Sequence, residues 1–210
     1  GGADIQARVI STAFQKSMGQ NFIIENRTGA SGTIATQLAV DAPPDGNTIL
    51  FTSGSISVVA TLNAKQMKFN VHTDLQPISW ISSSPLVLSL HPSVPAKSVK
   101  ELVAIVKRAA KPLNAGGNTA GSTAHVTADM FNQTVGAKST VVTYRGGGPA
   151  VIALISGEID YIFATAPSIM PHVKSGRARP LAVTTPKRSS AFPDLPTMSS
   201  MYPGFESDNW

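Results

Sequence analysis

The 210-residue sequence contains no cysteine, which excludes disulfides, thiolate nucleophiles and cysteine metal sites. No apolar run approaches the roughly 20 residues of a membrane span, and no signal peptide is visible, so direct membrane insertion is not expected. Charged residues are scarce, at 14% against 42% hydrophobic, a balance that fits a globular chain and not a disordered one. The net charge of +5 is scattered without a Lys/Arg run, so nucleic acid is not an expected partner. The four histidines, His72, His91, His125 and His172, lack paired metal spacing, and no metal is expected. Glycine and proline are plentiful, 17 and 15 residues spread between apolar runs, which implies many short connections.

Taken in order, the chain alternates helical and extended patterns. GGAD (Gly1–Asp4) reads as a turn with Asp4 as N-cap, opening a helix that stops at Gly19. Extended runs follow at Asn21–Glu25, Thr48–Thr52, Ile78–Ser82 and Leu86–Leu90. Between the first two, Ser31 or Thr33 is placed to cap a helix through Leu38 and Ala39. Ser98 and Glu101 form a capping box for a helix with Leu102, Val103, Ile105 and Val106 on its apolar face. Further strands are expected at Leu113–Ala115, Thr140–Tyr144, Ile159–Phe163 and Pro180–Thr184. Pro149 suits the first position of a helix ending at Gly157; Pro167 starts another, which Pro171 bends or interrupts. This alternation indicates an α/β protein with a parallel-leaning sheet.

Ligands of such sheets bind beyond the carboxyl ends of strands. Small-residue tips fall at such positions or at helix starts in four places: GGAD, TSGS (Thr52–Ser55), GGNTAGST (Gly116–Thr123) and ATAPS (Ala164–Ser168). The third is the most informative. A helix start leaves about four backbone N–H groups without partners and carries about half a positive charge. Small residues let an anion approach that backbone, and no acidic residue lies between Leu113 and Ala128. Either a carboxylate site or an ordinary capped strand-to-helix turn accounts for the local pattern.

Other chemistries lack their residues. Gly116 and Gly121 have phosphate-loop spacing, but Ser122 stands where the lysine belongs. GASG (Gly29–Gly32) lacks the residue that a nucleophile elbow places between serine and the last glycine. His125 and Asp129, four apart on a helix, read as a surface pair or a structural histidine. Arg27 and Arg145 flank glycine-rich turns, where they either meet a carboxylate or brace loops.

An ordered series of segments resembles one family over almost the whole chain. After GGAD come ENRTGASG (Glu25–Gly32), APPDGNTILFTSG (Ala42–Gly54) and VPAKSVKELVAIVK (Val94–Lys107). YRGGGPAVIALISGEIDYIF (Tyr144–Phe163) and GRARPLAVTTPKRSSAFPDLPT (Gly176–Thr197) complete it. The series resembles the Bug-type, or TctC-type, extracytoplasmic solute receptors of tripartite tricarboxylate transporters. The resemblance implies a type II periplasmic binding protein with two α/β lobes joined by two crossing strands, Leu86–His91 and Pro180–Thr184. It also implies a chain shortened at both ends. Lobe one would be 1–90 plus 186–210, lobe two 91–185, with the ligand cleft between them. The matching ligand-binding positions are Gly1, Gly2, Asp4, Thr52, Ser53 and Gly54 in lobe one. In lobe two they are Asn118, Gly121, Ser122, Thr123, Ala164 and Thr165.

Such a protein is periplasmic, monomeric and without cofactor or catalytic residues. It binds a small carboxylate through backbone N–H groups, hydroxyls and waters, and delivers it to the transporter's membrane subunits. Ala164 departs from the aspartate many relatives carry there, which favours a plain di- or tricarboxylate or an aromatic acid over an amino acid. The alternatives are an α/β enzyme acting on a carboxylic acid and a ligand-sensing domain feeding a two-component system.

Overall fold

The structure is a computed structural model that describes residues 2–62, 64–65 and 67–210. Its first 83 residues supply helices α1 (Gly2–Met18), α2 (Thr33–Asp41) and α3 (Ser55–Leu62). A 3-10 turn at Ala30–Gly32 leads into α2. The rest forms strands and helices in the order β1 (Ser84–Leu90), α4 (Val99–Arg108), β2 (Asn114–Gly117), α5 (Thr123–Val135), β3 (Thr140–Thr143), α6 (Gly147–Ile155), β4 (Tyr161–Thr165), α7 (Ala166–Lys174) and β5 (Arg179–Val183). A 3-10 turn at Met198–Ser200 and the two-residue β6 (Asp208–Asn209) follow.

Local chemistry fixes the helix ends. Ser98 Oγ accepts the Glu101 N–H at 3.2 Å, capping α4. The returning Glu101 carboxylate reaches Lys97 N–H at 2.7 Å, one residue before the position a capping box predicts. Val99, Leu102 and Val106 are buried, the single stripe of an amphipathic helix. Helix α5 ends where Gly136 turns left-handed at φ 64°, its N–H donating back to the carbonyls of Asn132 and Gln133.

The sheet runs β3-β2-β4-β1-β5, with β6 also beside β1. Strands β2, β3 and β4 are mutually parallel, and β1 is antiparallel to β4, β5 and β6. Period-two alternation sends Leu86, Leu88, Leu90, Tyr161 and Phe163 to one face, packed with α4 and α5. Val87, Ile162 and Ala164 face the other core, with Leu154 of α6 and Ile169 of α7. On the first face Phe131 meets Tyr161 and Phe163 at centroid distances of 5.8 and 5.7 Å, and Phe163 stacks on Phe205 at 6.2 Å. Arg179, at the start of β5, donates to the carbonyls of Val94 (2.9 Å), Ala96 (3.0 Å) and Pro92 (3.4 Å).

Several expected elements differ. Asn21–Glu25, Thr48–Thr52 and Ile78–Ser82 form no strands: among the described residues nothing pairs with them. A strand needs ladder partners as well as β-prone residues, and Ile23 stays 92% exposed, Ile78 77% and Trp80 70%. Asp4 sits inside the first turn of α1 and does not precede it. Gly32, not Ser31 or Thr33, is the N-cap of α2. Gly116 and Gly117 belong to β2, because the parallel ladder to β3 extends to Gly117 and Thr143. Helix α6 begins at Gly147, placing Pro149 third. Pro171 lies within α7 without ending it, although its ring nitrogen removes one intrahelical backbone donor. Met198 and Phe205, after the last helix, pack in the core shared with α4 and α5.

Phe131 is fully buried at the centre of the aromatic cluster. Phe131→Ala is expected to lower unfolding free energy by about 3–5 kcal/mol, read from the denaturant midpoint with an unchanged slope.

Candidate functional site

Three parallel strands deliver three helix starts to one edge of the sheet. Strand β2 feeds the tip Asn118–Ser122 and then α5; β3 feeds Tyr144–Gly146 and then α6; β4 runs directly into α7. At the first tip Ser122 caps α5, its Oγ accepting the His125 N–H at 3.2 Å. His125 Nδ1 accepts the Gly121 N–H at 3.3 Å, so the helix steadies its own entry loop. The second and third starts have no side-chain cap. Gly146, at φ 113°, makes the sharp entry into α6, and Thr165 Oγ1 pairs with Ser168 Oγ at 2.8 Å. First-turn N–H groups of α6 and α7 are thereby left to a partner other than a side-chain cap, at the positive ends of two helix dipoles. The first two tips are neighbours: Asn118 Oδ1 lies 3.7 Å from where a Gly147 Cβ would stand.

The first 83 residues bring their own tips. Ser53 and Ser55 hydroxyls pair at 2.8 Å where α3 begins, and Thr52 beside them is exposed. Helix α1 packs against α7. Across the gap Ser31 Oγ donates to the Ala120 carbonyl. A methyl on Gly121 would approach Val59 Cγ2 to 3.2 Å. The opposing loops are in contact at this point.

The expected site residues fare unequally. Asn118, Gly121, Ser122, Thr123 and Thr165 lie at the tips of β2 and β4, and Thr52 and Ser53 lie at the start of α3. Gly1 lies outside the described residues, and Gly2 opens α1. The Asp4 carboxylate is already engaged by Asn26 Nδ2 at 2.7 Å and Arg8 Nε at 3.1 Å. Gly54 donates its N–H to the Trp210 carbonyl at 2.7 Å. Ala164 belongs to the core and not to the tip: it pairs with Val87 and shares the inward face of Ile162. Strand periodicity decides that outcome, because the residue two after Ile162 must face the same way. Arg27 pairs with Glu25, a brace within its loop, and His125 faces Asp129 at 3.8 Å.

Gly146–Gly148 was not among the expected positions. Its signal was present: a strand, a glycine run and an apolar helix with no Ser, Thr, Asn or Asp at the cap position.

A mixed sheet whose parallel strands feed helix starts at their carboxyl ends has the layout in which α/β folds place a ligand crevice. Residues 6–210 match the model of the tripartite tricarboxylate transporter family receptor, and the chain belongs to that family, one of periplasmic solute-binding proteins. It is 34% identical to protein BugT of Bordetella pertussis over 212 residues, covering all of this chain and 65% of BugT. The chain therefore spans just under two thirds of that relative's length. Rpa4515 of R. palustris, solved with adipate, superposes with TM-score 0.94 at 33% identity over 99% of this chain and 70% of its own. MatC from Rhodopseudomonas palustris, with bound malate, gives 0.88 at 27% identity over 99% and 71%. A TctC solute-binding protein from Polaromonas without ligand gives 0.71 at 26% identity over 100% and 71%. The fold is the two-lobed type of these periplasmic binding proteins.

The amide of Asn26, and after it Arg8, hold the Asp4 carboxyl below its ordinary value of 3.8. A depressed carboxyl stabilises the fold above its unfolded pKa and loses that contribution as pH falls through the folded value. Asn26→Ala should therefore raise the Asp4 midpoint towards 3.8, read by NMR of its side-chain carboxyl carbon. An unmoved midpoint would assign the depression to Arg8 alone.

Proposed function

We propose that this protein is a periplasmic receptor that captures a small carboxylate between two lobes and delivers it to the membrane subunits of a tripartite tricarboxylate transporter. The observation that carries the reading is the pair of uncapped helix starts, α6 and α7, beside the capped start of α5 at one sheet edge. Preorganised N–H dipoles hold an anion without leaving a buried, unpaired arginine when it departs. Adipate in Rpa4515 and malate in MatC support a dicarboxylate as the first ligand to try. The protein acts as a monomer and performs no chemistry on its cargo; it needs no cofactor. Residues 1–83 are assigned to the first lobe, a shorter span than the family resemblance implies. The chain through Phe205 is counted with the second lobe, because Met198 and Phe205 pack in that lobe's core. Binding closes the lobes by hinge motion, shifting an open–closed population.

A panel of adipate, malate, citrate and aromatic acids tests the reading by thermal shift and calorimetry. A true ligand at about 100 times Kd stabilises the fold by roughly 2.7 kcal/mol. No shift across the panel, on protein shown by native mass spectrometry to carry no retained acid, would overturn it.

The two loop residues of the α5 tip separate by role. Ser122→Ala removes the cap and should cost about 1 kcal/mol of stability. Asn118→Ala should weaken binding of the acid found in the panel while leaving the melting temperature of the unliganded protein within about 2 °C. Equal affinity for Asn118→Ala and the parent would move the site away from this tip.

A further inference from the structure

The turn preceding α2 holds four consecutive residues at positive φ: Gly29 (126°), Ala30 (44°), Ser31 (56°) and Gly32 (94°). Two of them carry a Cβ, for which left-handed backbone is unfavourable. Such conformations persist where surrounding contacts impose them, and they concentrate at clamps and switches. The contacts here are identifiable. Within the turn, Thr33 Oγ1 donates to the Ala30 carbonyl at 2.9 Å and Thr36 Oγ1 to the Gly32 carbonyl at 3.0 Å. Across the cleft, Ser31 Oγ donates to the Ala120 carbonyl, 89 residues away. Helix α3 packs against the same turn, and its Val59 and Leu62 lie against Gly121.

We propose that Ser31 is a positioning residue that latches the two lobes, setting affinity through the population of the closed arrangement without touching the ligand. The cross-cleft contacts of Ser31 and of Val59 and Leu62 reach the 120–121 backbone, the flank of the α5 tip. They involve protein atoms alone, so the latch acts whether or not the cleft is filled. Ala120 contributes only its carbonyl, so the latch reads the position of the loop and is indifferent to its side chain. A hydrogen bond favouring closure raises apparent affinity by enlarging the binding-competent fraction. This inference rests on the receptor reading for its affinity readout and on nothing but the free protein for its distance readout.

The absence of native cysteine allows a unique label pair at the exposed positions Ser57 and Lys107, introduced as Ser57→Cys and Lys107→Cys. Electron–electron distance measurements on protein without added acid then report the lobe separation. Ser31→Ala and Ser31→Gly should both lengthen the distance distribution. Adipate, if it proves to bind, should do so roughly 2- to 10-fold more weakly and restore the same short distance at saturation. The glycine variant matters because it accommodates φ 56° without strain. If alanine lengthens the distance and glycine does not, the backbone and not the hydroxyl is responsible, and the latch is wrong. Unchanged distances in both variants also overturn it, and so does weaker adipate binding with an unchanged distance, which would mean that Ser31 contacts the ligand. Failure of adipate to bind at all bears on the receptor reading and leaves the distance result decisive for the latch.

Discussion

The antiparallel pairing of β1 with β4 is the constraint on which the remaining architecture depends. Strand β1 is buried over almost its whole length and is the one element that hydrogen-bonds β4, β5 and β6. Its alternating leucines serve one core while Val87 serves the other. Because β1 fixes β4, it fixes where β4 stops, and hence where α7 starts. Through β4 it positions β2, and through β2 the β3 tip that opens α6. The three helix starts are therefore as well placed as the buried ladder beneath them, although the tips themselves are loops.

Burial and ligand approach impose opposite demands on this edge, and small residues reconcile them. Gly116 and Gly117 lie in β2 where a side chain would crowd its neighbours: a Cβ on Gly116 would meet Ile159 at 2.3 Å and one on Gly117 would meet Val141 at 3.2 Å. These glycines let the α6 side and α5 close on the strand. Beyond β3, at Gly146–Gly148, the same lack of side chains leaves a helix start without a side-chain cap. Identical residue chemistry thus serves packing under the sheet and an open helix start at its rim, and the length of the ladder separates the two.

That division explains which features were legible in the sequence. The α4 stripe and its Ser98 cap are local devices, and each lies where spacing put it. The apolar segments around Ile23, Ile49 and Ile78 are β-prone, yet strand formation is a property of pairs, and no described partner completes them. Strand β4 runs to Thr165, two residues past the expected end at Phe163, because the end of a strand is set by its neighbour's register, here Leu86 against Thr165. The Gly146 tip was overlooked because a missing cap is a quieter signal than a present one. The cross-cleft bond of Ser31 was invisible, since no periodicity links positions 89 residues apart.

Arg179 gathers the carbonyls of Pro92, Val94 and Ala96 without recruiting an acid. A guanidinium stays charged at any pH a protein survives, and peptide carbonyls do not titrate. The turn that leads from β1 into α4 is thus fastened by partners that acidification cannot remove, unlike a turn held by a carboxylate. Such a fastening keeps the entry geometry of α4 constant across pH while surface ion pairs come and go.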